Sequence, residues 1–234
     1  HTFHFAEFNN TDNGTILLAM STAKVSNSSL DFLALNGTQR IAIGFSNDNI
    51  SMSYEKIRVV PYHLTGNEFL VMALNRTNAT LFVFLVTYNG SSQISSQIYE
   101  TIPDVVDFTF ACPSQSPNIY LFYVTRHDPT NVQFETFGRI TNDINKNHPK
   151  ISIRALLEEK ARRDGVEGPS PSTGVYPVTS VEARIHNSTS LYLLINSKSI
   201  YIFEMIFNTV TPSVPTTYYY YKVPGWDGRF IDGN

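Results

Sequence analysis

The chain is written almost entirely in short alternations of apolar and polar residues, and this constrains its fold more than anything else in it. Fifteen runs rich in β-branched and aromatic residues follow one another, at 2–8, 15–20, 30–35, 40–45, 56–60, 68–74, 80–87, 97–102, 106–112, 118–125, 132–139, 180–186, 190–196, 199–208 and 217–223. Period-two alternation sends successive side chains to opposite faces of a pleated strand, so one set meets a core and the other does not. Many such runs separated by turn residues predict an all-β chain.

The runs also recur as a unit of strand, short turn and strand. It reads 30–35 then 40–45, again 68–74 then 80–86, again 118–124 then 132–137, and finally 190–195 then 199–205. One further strand before and after each pair makes a four-stranded blade, so the pattern predicts a propeller-like arrangement of about four antiparallel blades. No Trp-Asp signature recurs at the strand ends, and a β-sandwich with long loops is the alternative. Completed in this order, 217–223 closes the last unit and the first strand, 2–8, is left over. An unpaired strand invites association. It would close a sheet in its own chain or add to a neighbour's sheet, and Phe3 and Phe5 are its candidate contact residues.

One all-β domain is expected over 1–234, interrupted by an insertion at about 141–177. Within the insertion, 152–164 reads as an amphipathic helix. Ile153, Leu156, Leu157 and Ala161 share a face, and Glu158–Arg162 and Glu159–Arg163 are spaced to pair one turn apart. Gly165 follows as a C-cap. Leu156 and Leu157 are candidate docking residues. So are Tyr218, Tyr219, Tyr220 and Tyr221, which a strand sends alternately to two faces, and the single Trp226.

Nine N-x-Ser/Thr acceptor triplets start at Asn9, Asn13, Asn27, Asn36, Asn49, Asn75, Asn78, Asn89 and Asn187, eight of them within the first 89 residues. An occupied acceptor carries a bulky polar glycan that must point into water. Asn36-Gly37 lies between two strands and reads as a tight hairpin turn. Asn13-Gly14 and Asn89-Gly90 also fall at strand ends, where bulk is tolerated. The cluster predicts an extracellular or cell-surface glycoprotein whose first half is shielded. His1 opens the chain without Met or an apolar leader, as expected of a processed or trimmed chain.

Charged residues make up 16% of the chain, well below the roughly 25% of soluble domains. Glycans, or burial of surface in an assembly, would offset so low a charge. A net charge of −3 lacks the basic footprint of a nucleic-acid binder. No apolar run reaches the length of a membrane-spanning helix. One cysteine, Cys112, excludes an intrachain disulfide. Alternation puts it on the face of Val106, Phe108 and Phe110, as a buried small hydrophobe.

Catalytic patterns are weak. Paired carboxylates that cleave a glycosidic bond stand about 5–10 Å apart. Asp104 and Asp107, after Pro103, are the most suggestive pair, although neighbouring acids before a strand ordinarily face water. There is no Gly-x-Ser-x-Gly elbow and no phosphate-binding Gly-rich loop, and Glu158 and Glu159 are already accounted for by helix pairing. His1, with a second histidine at His63, His127, His148 or His186, resembles the lytic polysaccharide monooxygenases, in which an amino-terminal His helps to chelate copper. The resemblance rests on His1 alone, and the lone Cys and lone Trp fit it poorly. His1 and His4 do not by themselves make a zinc site.

These observations lead to a non-catalytic reading with no metal or cofactor. The chain is expected to be a structural or adhesive subunit of an extracellular coat or filament. It would contact copies of itself or other extracellular proteins through its sparsely glycosylated C-terminal half, and through the N-terminal strand. The alternative is a monomeric carbohydrate-binding module or receptor ectodomain; a copper polysaccharide oxidase using His1 comes third.

Overall fold

Alternation in the sequence becomes pairing in space, one neighbour at a time. The computed structural model describes residues 3–10, 15–23, 28–36, 39–45, 54–62, 68–75, 77–88, 94–113, 116, 118–139, 144–145, 150–152, 155, 158, 162, 177–197, 200–207 and 215–223. Two compact units, His1–Val105 and Val106–Asn234, divide the backbone. The fold is all-β, as the alternation requires, and its sheets are antiparallel.

The first unit holds two four-stranded meanders. Strands β1 (Phe3–Asn10), β2 (Thr15–Ala23), β3 (Ser28–Asn36) and β4 (Gln39–Phe45) form one sheet in sequence order. Strands β5 (Tyr54–Pro61), β6 (Glu68–Asn75), β7 (Thr80–Tyr88) and β8 (Ile94–Ile102) form the next. Here the leftover strand is corrected. β1 pairs with β2 from Phe3↔Thr22 to Asn10↔Thr15, with Phe5 opposite Met20. The first repeat is therefore out of phase by one strand, because 30–35 and 40–45 are the third and fourth strands of their sheet and not its inner pair. The inner pair is β2 and β3. Asn36, which ends β3, pairs with Gln39 at the start of β4, and Gly37 of the expected hairpin turn lies outside the described residues.

The two sheets of this unit meet through matching strands: β1 and β2 lie beside β5, and β4 lies beside β8. Ile57, Val59, Phe69, Val71, Ala73, Phe82, Phe84 and Val86 form one apolar cluster with Leu30. The register explains the set, since Val71 faces Phe84 and Ala73 faces Phe82 across the β6–β7 ladder. Each such side chain contributes about 1.5–3 kcal/mol by leaving water. β6 is buried on both faces, from Phe69 to Asn75.

The second unit repeats the plan. Strands β9 (Val105–Ala111), β10 (Asn118–Thr125), β11 (Asn131–Gly138) and the short β12 (Ile144–Asn145) lie in the order β12-β11-β10-β9, and β13 (Lys150–Ser152) also pairs with β11. Strands β14 (Ser180–Ile185), β15 (Ser190–Asn196), β16 (Ile200–Phe207) and β17 (Pro215–Val223) make the last meander. β12 and β13 lie in the insertion and are too short to carry an alternation. Ser152 ends β13, and its Oγ accepts the Ala155 N–H at 3.2 Å, an N-cap at the expected helix start. Helical backbone is described at Ala155, Glu158 and Arg162, all exposed. Ile153, Leu156, Leu157, Ala161 and Gly165 lie outside the described residues.

The core of this unit lies between its two sheets. Tyr120, Phe122, Val124, Val132 and Phe134 on one side meet Val181, Ala183, Leu191, Leu193, Ile195, Phe203 and Met205 on the other. β10 is buried on both faces, because Ile119, Leu121 and Tyr123 are buried as well. The face expected for Cys112 is corrected. Of Val106, Phe108, Phe110 and Cys112 only Phe108 is fully buried, while Val105, Thr109 and Ala111 on the opposite face are buried. Two polar residues of that face have partners in the neighbouring sheet, which the strand's own pattern does not disclose.

Candidate functional site

Those partners are backbone groups of β14. Val181 donates its N–H to Asp107 Oδ2 at 2.8 Å, and Ala183 donates to Thr109 Oγ1 at 3.2 Å. β14 is the first strand of its sheet, and its alternate N–H groups would otherwise lack a ladder partner. Side chains from β9 take the place of a neighbouring strand there. This gives Asp107 a structural contact with the neighbouring sheet. Asp104 follows Pro103 in the β8–β9 turn with φ 56°, a conformation in which Asp and Asn are enriched.

The other face of the last sheet has a different character. Register aligns Glu182, Leu194, Ile202 and Tyr221 in one row, and Arg184, Tyr192, Glu204 and Tyr219 in the next. Tyr192, Leu194, Ile202, Glu204 and Ile206 are all partly exposed, whereas Leu191, Leu193, Ile195, Phe203 and Met205 on the reverse are buried. Charged groups flank the apolar ones. Arg184 Nη1 lies 3.0 Å from Glu182 Oε1, and His186 Nε2 lies 4.0 Å from Glu204 Oε1. The His186 ring stands against Tyr192, with centroids 4.7 Å apart.

Tyr218 and Tyr220 are in register with Met205 and Phe203, positions of the core face, and Tyr219 and Tyr221 with Glu204 and Ile202. Trp226 lies outside the described residues, as do His1, His63 and His148. His127 and His186 are exposed. Among the described residues no group of three or more His, Cys, Asp or Glu is placed to hold a metal ion, and no helix is long and apolar enough to cross a membrane.

The acceptor asparagines occupy different environments. Asn9 is in β1, opposite Ile16, and Asn36 ends β3. Asn13, Asn27, Asn49 and Asn89 lie outside the described residues. Asn78 and Asn187 are exposed, whereas Asn75 is only 2% exposed. Nothing in the triplet rule separates these last three, because burial depends on the fold.

Cys112 is a free, half-buried thiol. Burial pushes its pKa up, and the Arg139 guanidinium partly opposes the shift. Burial likewise raises Tyr120, against the hydrogen bonds of Ser116 and Asn118. Ser116 Oγ and the Tyr120 hydroxyl are 3.0 Å apart. A thiol held protonated is a poor nucleophile, in keeping with packing as its role.

No family model matches the chain, and no curated protein proves similar to it.

Proposed function

We propose that the chain is a secreted, N-glycosylated, non-catalytic subunit of an extracellular assembly, associating with further copies of itself through its last sheet. The observation that carries this reading is the asymmetry of that sheet. Its β15 and β16 bury Leu191, Leu193, Ile195, Phe203 and Met205 on one face and leave Tyr192, Leu194, Ile202 and Ile206 partly open on the other, where Ser190, Asn196 and Ile200 are buried. Only one of the nine acceptor triplets, Asn187, lies in that half of the chain. β1 is the weaker candidate for the contact, since it is paired with β2 and lies beside β5.

The four meanders are, in this proposal, blades of a propeller. Three features favour blades over the two layers of a sandwich. All four sheets run in sequence order, apart from β13, which pairs with β11. Within each unit the first strands of successive sheets come together, β1 with β5 and β9 with β14. β6 and β10 are buried on both faces, as an inner blade would be, whereas a sandwich packs only one face of each sheet.

Sedimentation velocity on the glycosylated protein tests the association. The expected result is a series of multi-copy species growing with concentration, reduced to single chains by Ile202→Glu or Leu194→Glu with circular dichroism unchanged. A wild-type chain that stays monomeric at every concentration overturns the reading. It would favour a monomeric binding module.

A further inference from the structure

The β6–β7 connection carries two acceptor triplets back to back, Asn75-Arg76-Thr77 and Asn78-Ala79-Thr80. By the sequence rule they are equivalent. In the fold they are not. Asn75 ends β6 opposite Thr80, is 2% exposed, and its Oδ1 accepts the Thr77 N–H at 2.8 Å. Its carboxamide thereby starts the turn, as Asn side chains do when they bond the backbone two residues on. Asn78 is exposed, with its Oδ1 taking the Thr80 N–H at 3.1 Å. Ala79 then takes a left-handed φ of 55°, and its carbonyl accepts the Val105 N–H at 2.6 Å. That bond ties the connection to the β8–β9 turn.

We infer that Asn78 is the glycan-bearing residue of this connection and that Asn75 stays unmodified as an internal turn cap. In the transfer, the carboxamide nitrogen bonds to the anomeric carbon of an oligosaccharide. The bond from that carbon to a lipid-linked diphosphate breaks, the nitrogen loses one proton, and the lipid diphosphate leaves. The product must stand in water. At Asn78 it does so without disturbing a contact. At Asn75 a saccharide on the carboxamide nitrogen would have to occupy the volume into which the hairpin packs, so chains modified there fail to close the β6–β7 connection. Asn187 supplies an internal reference. It is exposed, and its Oδ1 takes both the N–H and the hydroxyl of Thr189, at 2.9 and 3.2 Å.

The inference rests on the chain entering the secretory pathway. Its test separates the two claims. Protein secreted from a eukaryotic host is deglycosylated enzymatically in heavy-oxygen water, so that each occupied Asn becomes a labelled Asp, and the peptides are sequenced by mass spectrometry. Label at Asn78 and Asn187, with Asn75 unlabelled, is the expected result. In intact protein, Asn78→Gln should remove the mass of one glycan. Thr77→Ala, which destroys the first triplet but keeps the Asn75 carboxamide, should remove none. Label at Asn75, or a lost glycan in Thr77→Ala, overturns the inference. So does an unlabelled Asn78 beside a labelled Asn187, which leaves the secretory reading standing. No label at any of the nine acceptors overturns both.

Discussion

Removing the side chains that stitch β9 to β14 should weaken the second unit by a calculable amount. Thr109 is 1% exposed and Ala183 is 6% exposed, so Thr109→Val keeps the shape and leaves the Ala183 N–H buried without its acceptor. An orphaned buried donor costs about 1–3 kcal/mol. Asp107→Ala removes a carboxylate acceptor from the Val181 N–H at 2.8 Å. Bonds to charged groups are worth about 1.5–3 kcal/mol, and the partial exposure of Asp107 points to the lower end. Asp107→Asn keeps an oxygen in place and should lose about half as much by the same reasoning. With a urea dependence of about 1–3 kcal/mol per M, a loss near 2 kcal/mol moves the unfolding midpoint down by about 1 M. Amide exchange at Val181 and Ala183 reads the same bonds individually, and each variant should accelerate its own amide first. If both variants shift the midpoint by less than the equivalent of about 0.5 kcal/mol, ordinary for a surface change, and leave the two amides protected, the stitching is not what holds this edge.

Three further outcomes are expected. Leu121→Ala and Phe122→Ala, on opposite faces of β10, should each cost about 2–5 kcal/mol in chemical unfolding, because both residues are fully buried; a cost under about 1 kcal/mol for Leu121 would favour a sandwich with one packed face. Cys112 and Tyr120 have raised pKa values in the fold, so the folded state holds these protons more tightly than the unfolded chain. Stability should stay flat near neutrality and fall as pH rises past the unfolded thiol value of about 8.5 and again past about 10; urea midpoints across that range check it, and Cys112→Ala should remove the first fall. Ala79→Gly should raise the thermal midpoint, since a left-handed φ of 55° costs a Cβ-bearing residue roughly 1–2 kcal/mol, while Ala79→Val should lower it.

The elements of this fold were readable wherever the cause was local. Runs rich in apolar, β-branched and aromatic residues located β6, β7, β10 and β15, because such content is a property of a few consecutive residues. The phase of the first sheet was not readable in the same way. Assigning 30–35 and 40–45 as an inner pair required knowing which strand β1 joins, and that is a tertiary choice. β12 and β13 escaped because two or three residues cannot alternate detectably. The helix start was legible at 152, because the amphipathic spacing that follows it is local. Asp107 looked like a surface acid because its partner, Val181, is 74 residues away. The difference between Asn75 and Asn78 is of the same kind: two triplets that the acceptor rule treats alike diverge only once the hairpin closes over one of them. For the tyrosine run, alternation gave two residues to each face, and the ladder to β16 decides which two stand opposite Phe203 and Met205.

Imaging the glycosylated protein in the form in which it is secreted tests the central claim most directly. The account predicts particles or filaments in which a unit of one chain repeats, with adjacent copies meeting across the β15–β16 face that carries Leu194 and Ile202. A uniform field of isolated single chains, at concentrations where the sedimentation series should already show association, would contradict it.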